Sequence, residues 1–223
     1  MTRFRAALAV CATLAGGAAQ ACDLALLLAV DVSGSVDRQE YRIQMGGLAA
    51  ALRDGTVADA LVGQQASVTL VQWTGASRQR QTIPWTPMLD HADVIRFADR
   101  VDQDARVWRN YSTAIGEAIA VSRAAFADVA HCKRKVIDVA GDGVSNEGIA
   151  PETQRAALQG AGIILNALAI ETDQTDLTAY FFENLIAGPG AFVMTADGFA
   201  DYPVQIKRKL QRETTKQAVR LDK

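Results

Sequence analysis

Seven consecutive apolar residues, Leu24-Ala25-Leu26-Leu27-Leu28-Ala29-Val30, run straight into the polar turn Asp31-Val32-Ser33-Gly34-Ser35. The run is far short of the roughly 18 uncharged apolar residues that a bilayer span requires, and it lacks polar alternation. It therefore predicts a strand buried on both faces, as in a parallel sheet covered by helices on each side. A polar turn at the carboxyl end of such a strand lies where open α/β sheets bind ligands.

The rest of the chain alternates between strand and helix. Tyr41, Met45, Leu48 and Leu52 recur at spacings of four, three and four, which gathers them on one helix face. Residues 67–73 read as a second strand and residues 80–85 as a third, confined to a sheet edge by Pro84. A weaker helical pattern covers residues 90–101, and a stronger one starts at Thr113, with Ile115, Ala118, Ile119, Ser122 and Phe126 on one side. Residues 135–140 form a strand that enters Gly141-Asp142-Gly143, and Pro151 suits a helix start. Residues 163–170 give another apolar strand, and Leu177, Phe181 and Leu185 share a helical face. Gly188-Pro189-Gly190 turns the chain into a short strand over residues 191–194. The closing helix takes in Ile206 and Leu210, with Lys207-Arg208-Lys209 expected on its solvated face. This order predicts a doubly wound, mostly parallel α/β sheet with helices on both faces. The turns after Val30 and Ala140 then share one edge, joined by the loop into Thr113 if a strand precedes it.

The first residues stand apart from that domain. Arg3 and Arg5, the apolar stretch over residues 6–15 and the small residues of Ala19-Gln20-Ala21 form a secretory signal over residues 1–21, leaving residues 22–223 as one exported domain. Cleavage there exposes Cys22, but Ala19 and Gln20 are a poor lipobox, so a lipoprotein is not expected. Without Arg3 and Arg5, 25 acidic residues face 21 basic ones. That mild acidity argues against nucleic acid or an anionic membrane as partner.

Asp31-x-Ser33-x-Ser35 puts an acid and two hydroxyls on one tight turn. Taken alone it reads first as a Ser-rich turn that caps the next helix, with Ser35 or Asp37 as the cap. The wider context shifts the balance. Asp31-Val32-Ser33-Gly34-Ser35, Tyr111-Ser112-Thr113-Ala114-Ile115-Gly116 and Val139-Ala140-Gly141-Asp142-Gly143 resemble, in order, the three metal loops of the von Willebrand factor A-type domain. The resemblance spans residues 23–210. It implies a six-stranded sheet with one antiparallel edge strand and a metal-ion-dependent adhesion site formed by Asp31, Ser33, Ser35, Thr113 and Asp142. Gly141 stands where that family more often has Thr or Ser, and every ligand position is kept. Val136-Ile137-Asp138-Val139 and Gly188-Pro189-Gly190-Ala191-Phe192-Val193 are further similar to a group of exported bacterial proteins built from this one domain.

An all-oxygen site suits Mg²⁺, with Ca²⁺ or Mn²⁺ as alternatives, better than zinc or copper. The resemblance implies that a protein partner's Asp or Glu fills the open position. The expected function is thus a non-catalytic, metal-dependent protein-binding module of adhesion or scaffold type, outside the cytoplasm in the periplasm or the medium. The alternative is a metal-assisted hydrolase using the same ion. Trp108 and Tyr111 precede Thr113 and read either as a partner-binding rim or as local packing, whereas Trp73 reads as packing.

The same fold places Cys22 and Cys132 at the starts of neighbouring strands, within reach of a disulfide, the alternative being two free thiols. It also puts His131 at the end of the sheet opposite the serines, where it cannot act as their base, and His91 at a solvent-facing helix start. Asp-x-Ser lacks the second Asp that aspartyl-phosphate phosphatases place two residues on.

Overall fold

The computed structural model describes residues 21–172 and 176–215. The expected signal peptide lies, up to residue 20, outside the described residues.

Strand β1 (Leu24–Asp31) is buried along its whole length. Its side chains alternate between two cores: Leu24, Leu26, Leu28 and Val30 enter one, Ala25, Leu27 and Ala29 the other. This is the two-faced burial that an uninterrupted apolar run requires. Helix α1 (Arg38–Leu52) follows, then α2 (Gly55–Gly63), β2 (Ser67–Trp73), β3 (Gln79–Pro87) and α3 (His91–Gln103). The second half holds α4 (Ile115–Ala125), β4 (Arg134–Gly141), α5 (Arg155–Gly160), β5 (Ile163–Glu171), α6 (Leu177–Asn184), β6 (Val193–Asp197) and α7 (Gly198–Thr214).

The sheet order is β3-β2-β1-β4-β5-β6. Only β3, at one edge, runs antiparallel to its neighbour. Helices α1, α2, α3 and α7 feed the first core, and α4, α5 and α6 the second. From β1 the chain first builds outward through β2 and β3, then returns to lay β4 on the other side. The order therefore reverses between β1 and β4, and their carboxyl ends flank a crevice at this switch point.

Three sequence expectations need correction. Helix α2 was not expected; Gly55 and Gly63 at its ends hide it, since glycine is a poor helix former. Asp54 caps it by accepting from the Thr56 and Val57 N–H groups. The last strand starts at Val193 rather than residue 191, because the turn at Gly188 and Gly190, both at positive φ, keeps Ala191 bonded back to Gly188. Lys209 is not solvated: it is fully buried and pairs with Asp138 of β4 and with Glu213, 2.6 Å away.

Candidate metal centre

At the end of β1 the Asp31 side chain turns back on its own loop, with Oδ1 accepting the Ser33 N–H at 2.7 Å. Ser33 Oγ lies 3.1 Å from Ser35 Oγ, and Ser35 Oγ donates to Asp142 Oδ1 at 2.7 Å. Asp142 sits just past the end of β4. The helix cap is Asp37, which accepts the Gln39 and Glu40 N–H groups while Glu40 bonds back to it. Neither serine caps α1, so both hydroxyls remain with the cluster.

No strand delivers Thr113. It stands in the loop between α3 and α4, which is clipped to the other two loops. The Gly34 N–H donates to Tyr111 O at 2.8 Å, and a Cβ on Gly34 would come within 3.3 Å of that oxygen. Thr113 exchanges two 2.9 Å hydrogen bonds with Asn146, donating its N–H to Oδ1 and accepting the Asn146 N–H at its carbonyl. Both bonds use the backbone, so the Thr113 hydroxyl is left to the site. It lies 3.9 Å from where a Cβ would stand on Gly143. A Cβ on Gly141 would stand 3.0 Å from Asp31 Oδ2 and 3.4 Å from Trp73, so glycine here gives the Asp31 carboxylate room.

The electrostatics mark a place for a cation. Asp31 is fully buried, and its Oδ2 accepts no hydrogen bond among the described residues. Burial first, and the Asp142 charge second, push its pKa up to about 8 against the Ser33 hydrogen bonds. Burial likewise raises the pKa of Asp142, opposed chiefly by the Ser35 hydrogen bond. Two carboxylates crowded out of water, with one oxygen unsatisfied, favour an added positive charge. The donors are carboxylate and hydroxyl oxygens, the set that hard divalent cations prefer.

Three supporting residues carried no signal in the sequence. Arg106 Nη2 donates to Val32 O at 2.9 Å and Ser33 O at 2.7 Å, holding the first loop in place. Gln44 Nε2 donates to Asp31 O at 3.1 Å from inside the core, and Asn146 fixes Thr113 as above. Tyr111 is exposed on the rim with the Arg78 guanidinium 3.9 Å over its ring, whereas Trp108 is half-buried against the first core. Val144 and Ile149, past Asp142, add exposed apolar surface. Trp73 is buried as packing. Neither histidine reaches the cluster: His91 bonds Asp59 at 2.8 Å on the surface, and His131 adjoins Cys132 at the far end of β4. There Cys22 and Cys132 form a disulfide, with Cα atoms 4.6 Å apart.

The profile of a family described as "Protein of unknown function (DUF1194)" matches residues 21–218. No curated protein matches the chain in sequence. Among solved structures, proximal thread matrix protein 1 from the mussel byssus is similar at 19% identity and a TM-score of 0.67, over 85% of this chain and 47% of that one. A second structure of that protein, described as having a zinc-occupied MIDAS motif, is 17% identical with a TM-score of 0.62, over 85% and 48%. A von Willebrand factor type A protein from Catenulispora acidiphila is 16% identical with a TM-score of 0.60, over 86% and 42%. The chain thus spans about half the length of these structures and has the von Willebrand factor A-type fold.

Proposed function

The chain belongs to the DUF1194 family, and from that premise we propose that it is an exported, metal-dependent protein-binding module. Asp31, Ser33, Ser35, Thr113 and Asp142 hold one divalent cation, Mg²⁺ being the ion that best suits an all-oxygen set with water in the remaining positions. The observation that carries this reading is the buried Oδ2 of Asp31, which has no hydrogen-bond partner among the described residues, beside Asp142 and the linked hydroxyls of Ser33 and Ser35. The zinc-occupied MIDAS motif of the similarly folded mussel protein supports a divalent-cation site in this chain.

When bound, the ion supplies an open, positively charged coordination position for a carboxylate oxygen. The chain's own residues do the rest. Arg106 and Gln44 fix the first loop through its carbonyls, Asn146 fixes Thr113, and Ser35 ties the first loop to Asp142. Hydroxyl ligands leave more positive charge on the ion than carboxylates would, which favours an anionic partner group. Tyr111 and Val144, each two residues from a ligand position, are exposed and give a protein partner apolar contact around an Asp or Glu. Binding is favoured over hydrolysis here because both histidines stand away from the cluster, where neither can serve Ser33 or Ser35 as a base. The disulfide fits an oxidising compartment, in keeping with export.

The test is capture of partners from the exported fraction on immobilised protein. Capture that EDTA abolishes, that Mg²⁺ restores and that Asp31→Ala lacks is the expected result. Capture indifferent to both chelator and substitution would sink the proposal.

A further inference from the structure

The two sequence motifs that the metal centre does not use meet at the opposite end of the sheet. Val136-Ile137-Asp138-Val139 and Gly188-Pro189-Gly190-Ala191-Phe192-Val193 border a cavity of about 400 Å³ between the amino-terminal ends of β4 and β5 and the end of α7. Its walls are apolar at Val136, Ile164, Pro189 and Phe192. The volume falls within the range of small-molecule sites, roughly 300–1,000 Å³.

The polar groups of this cavity divide into engaged and available. Gln64 Nε2 donates to Ala60 O and Thr214 O, and Asn166 bridges Glu213 and the Phe192 N–H. Lys133 is paired with Asp23 at 2.8 Å. Two guanidiniums remain. Arg134 has one 3.3 Å bond, to the neutral Gln64 Oε1, and Arg212 lies 3.7 Å over the Phe192 ring; neither has a carboxylate within ion-pair distance among the described residues. Glu213 also lines the cavity and its charge acts on Arg134, but its carboxyl is drawn to the core side, where it accepts from Lys209 and Asn166 and faces Asp138. Even with every acid ionised, Lys133, Arg134, Lys209 and Arg212 outnumber Asp23, Asp138 and Glu213.

We propose that this cavity is a second ligand site, which binds a small organic carboxylate between Arg134 and Arg212. The planar guanidinium fork matches a carboxylate in geometry, and the Phe192 ring orients one fork by stacking. The apolar wall selects a hydrocarbon body over a bare inorganic anion. The site is independent of the metal centre, which lies at the other end of β1 and β4.

Benzoate is the probe, with benzamide as its uncharged isostere and inorganic phosphate as the competing anion. Binding to the purified exported protein is followed by saturation-transfer NMR and thermal shift, after metal has been stripped and the chelator dialysed away so that neither a metal-bound carboxylate nor the chelator contributes. Benzoate should bind and benzamide should not. Arg134→Gln and Arg212→Gln should each weaken benzoate about tenfold or more, as expected for loss of a charge-assisted hydrogen bond. Arg212 is exposed, so its substitution tests the site without threatening the fold. Asp31→Asn should leave benzoate binding unchanged. The proposal is overturned by no benzoate saturation up to about 10 mM. It is equally overturned by binding insensitive to both arginine variants, or by phosphate binding as tightly as benzoate.

Discussion

Ser35 and Asp142, 107 residues apart in sequence, are joined by a 2.7 Å hydrogen bond from Ser35 Oγ to Asp142 Oδ1. The bond closes the crevice between β1 and β4 from loop to loop. It also ties a hydroxyl ligand to a carboxylate before any ion arrives, which lowers the ordering cost of binding one. Ser35→Ala removes both the tie and the hydroxyl. The expected outcome is about tenfold weaker Mg²⁺ binding by calorimetry, with a loss of about 1 kcal/mol in metal-free stability, because the bond is only partly buried.

Asp31→Asn should act in opposite directions on the two states. In the metal-free protein the Asp31 carboxyl has a pKa raised to about 8, so it favours its neutral form. Its contribution to stability is full below the unfolded-state pKa near 3.8 and is lost as pH rises toward 8. An Asn keeps an oxygen for the Ser33 N–H and carries no charge to desolvate. At pH 8 the metal-free variant should therefore melt above the metal-free wild type. Mg²⁺ should raise the wild-type midpoint and leave the variant unmoved. A variant that melts below wild type in EDTA would contradict this account.

The elements that the sequence made legible are those with unambiguous periodicity. Leu24 to Val30, the α1 face at Tyr41, Met45, Leu48 and Leu52, and the edge strand bearing Pro84 all lie where their patterns placed them. The three metal loops were picked out by their resemblance to a family's motifs rather than by periodicity, and the structure brings Asp31, Ser33, Ser35 and Asp142 together. Arg106 was not, because its role depends on the carbonyls of Val32 and Ser33, more than 70 residues away. Lys209 misled in the opposite sense. Within Lys207-Arg208-Lys209 composition predicts solvent, and only the position of Asp138 on the neighbouring strand shows that one of the three points inward.

The Cys22–Cys132 bond closes a separation of 110 residues at the amino-terminal ends of β1 and β4. On the chain-entropy model a loop of that length is worth about 4–5 kcal/mol. Adjacent strands already pair there, with Lys133 N–H donating to Cys22 O at 3.0 Å, so the native geometry should survive reduction. A Cys22→Ser/Cys132→Ser double variant should keep its far-ultraviolet circular dichroism and its Mg²⁺ response. Its denaturant midpoint should fall well below that of the oxidised wild type. Loss of the Mg²⁺ response with the fold intact would mean that the bond also shapes the metal loops.

The buried Lys209-Asp138-Glu213 cluster makes the sharpest pH prediction. One lysine faces two acids. Asp138 Oδ1 meets the Lys209 ammonium, whereas Asp138 Oδ2 and Glu213 Oε2 accept no hydrogen bond among the described residues. A proton on Glu213, shared with Asp138, resolves that deficit. Burial, then the Asp138 charge, accordingly raises the Glu213 pKa to about 8. Its stabilising share is complete below about pH 4.5 and disappears as pH climbs toward 8. Glu213→Gln imitates the protonated acid, with an amide to donate to Asp138 and an oxygen to accept from Lys209. Measured in the Asp31→Asn background, so that the metal centre does not contribute, Glu213→Gln should flatten the decline in denaturant midpoint between pH 5 and 9. It should be the more stable protein at the alkaline end. Lys209→Met removes the cation paired with both buried acids and should cost about 3–5 kcal/mol at neutral pH, the range for breaking a buried ion pair from one side. If Glu213→Gln instead loses stability equally at every pH, the shared proton is absent and the cluster is an ordinary ion pair.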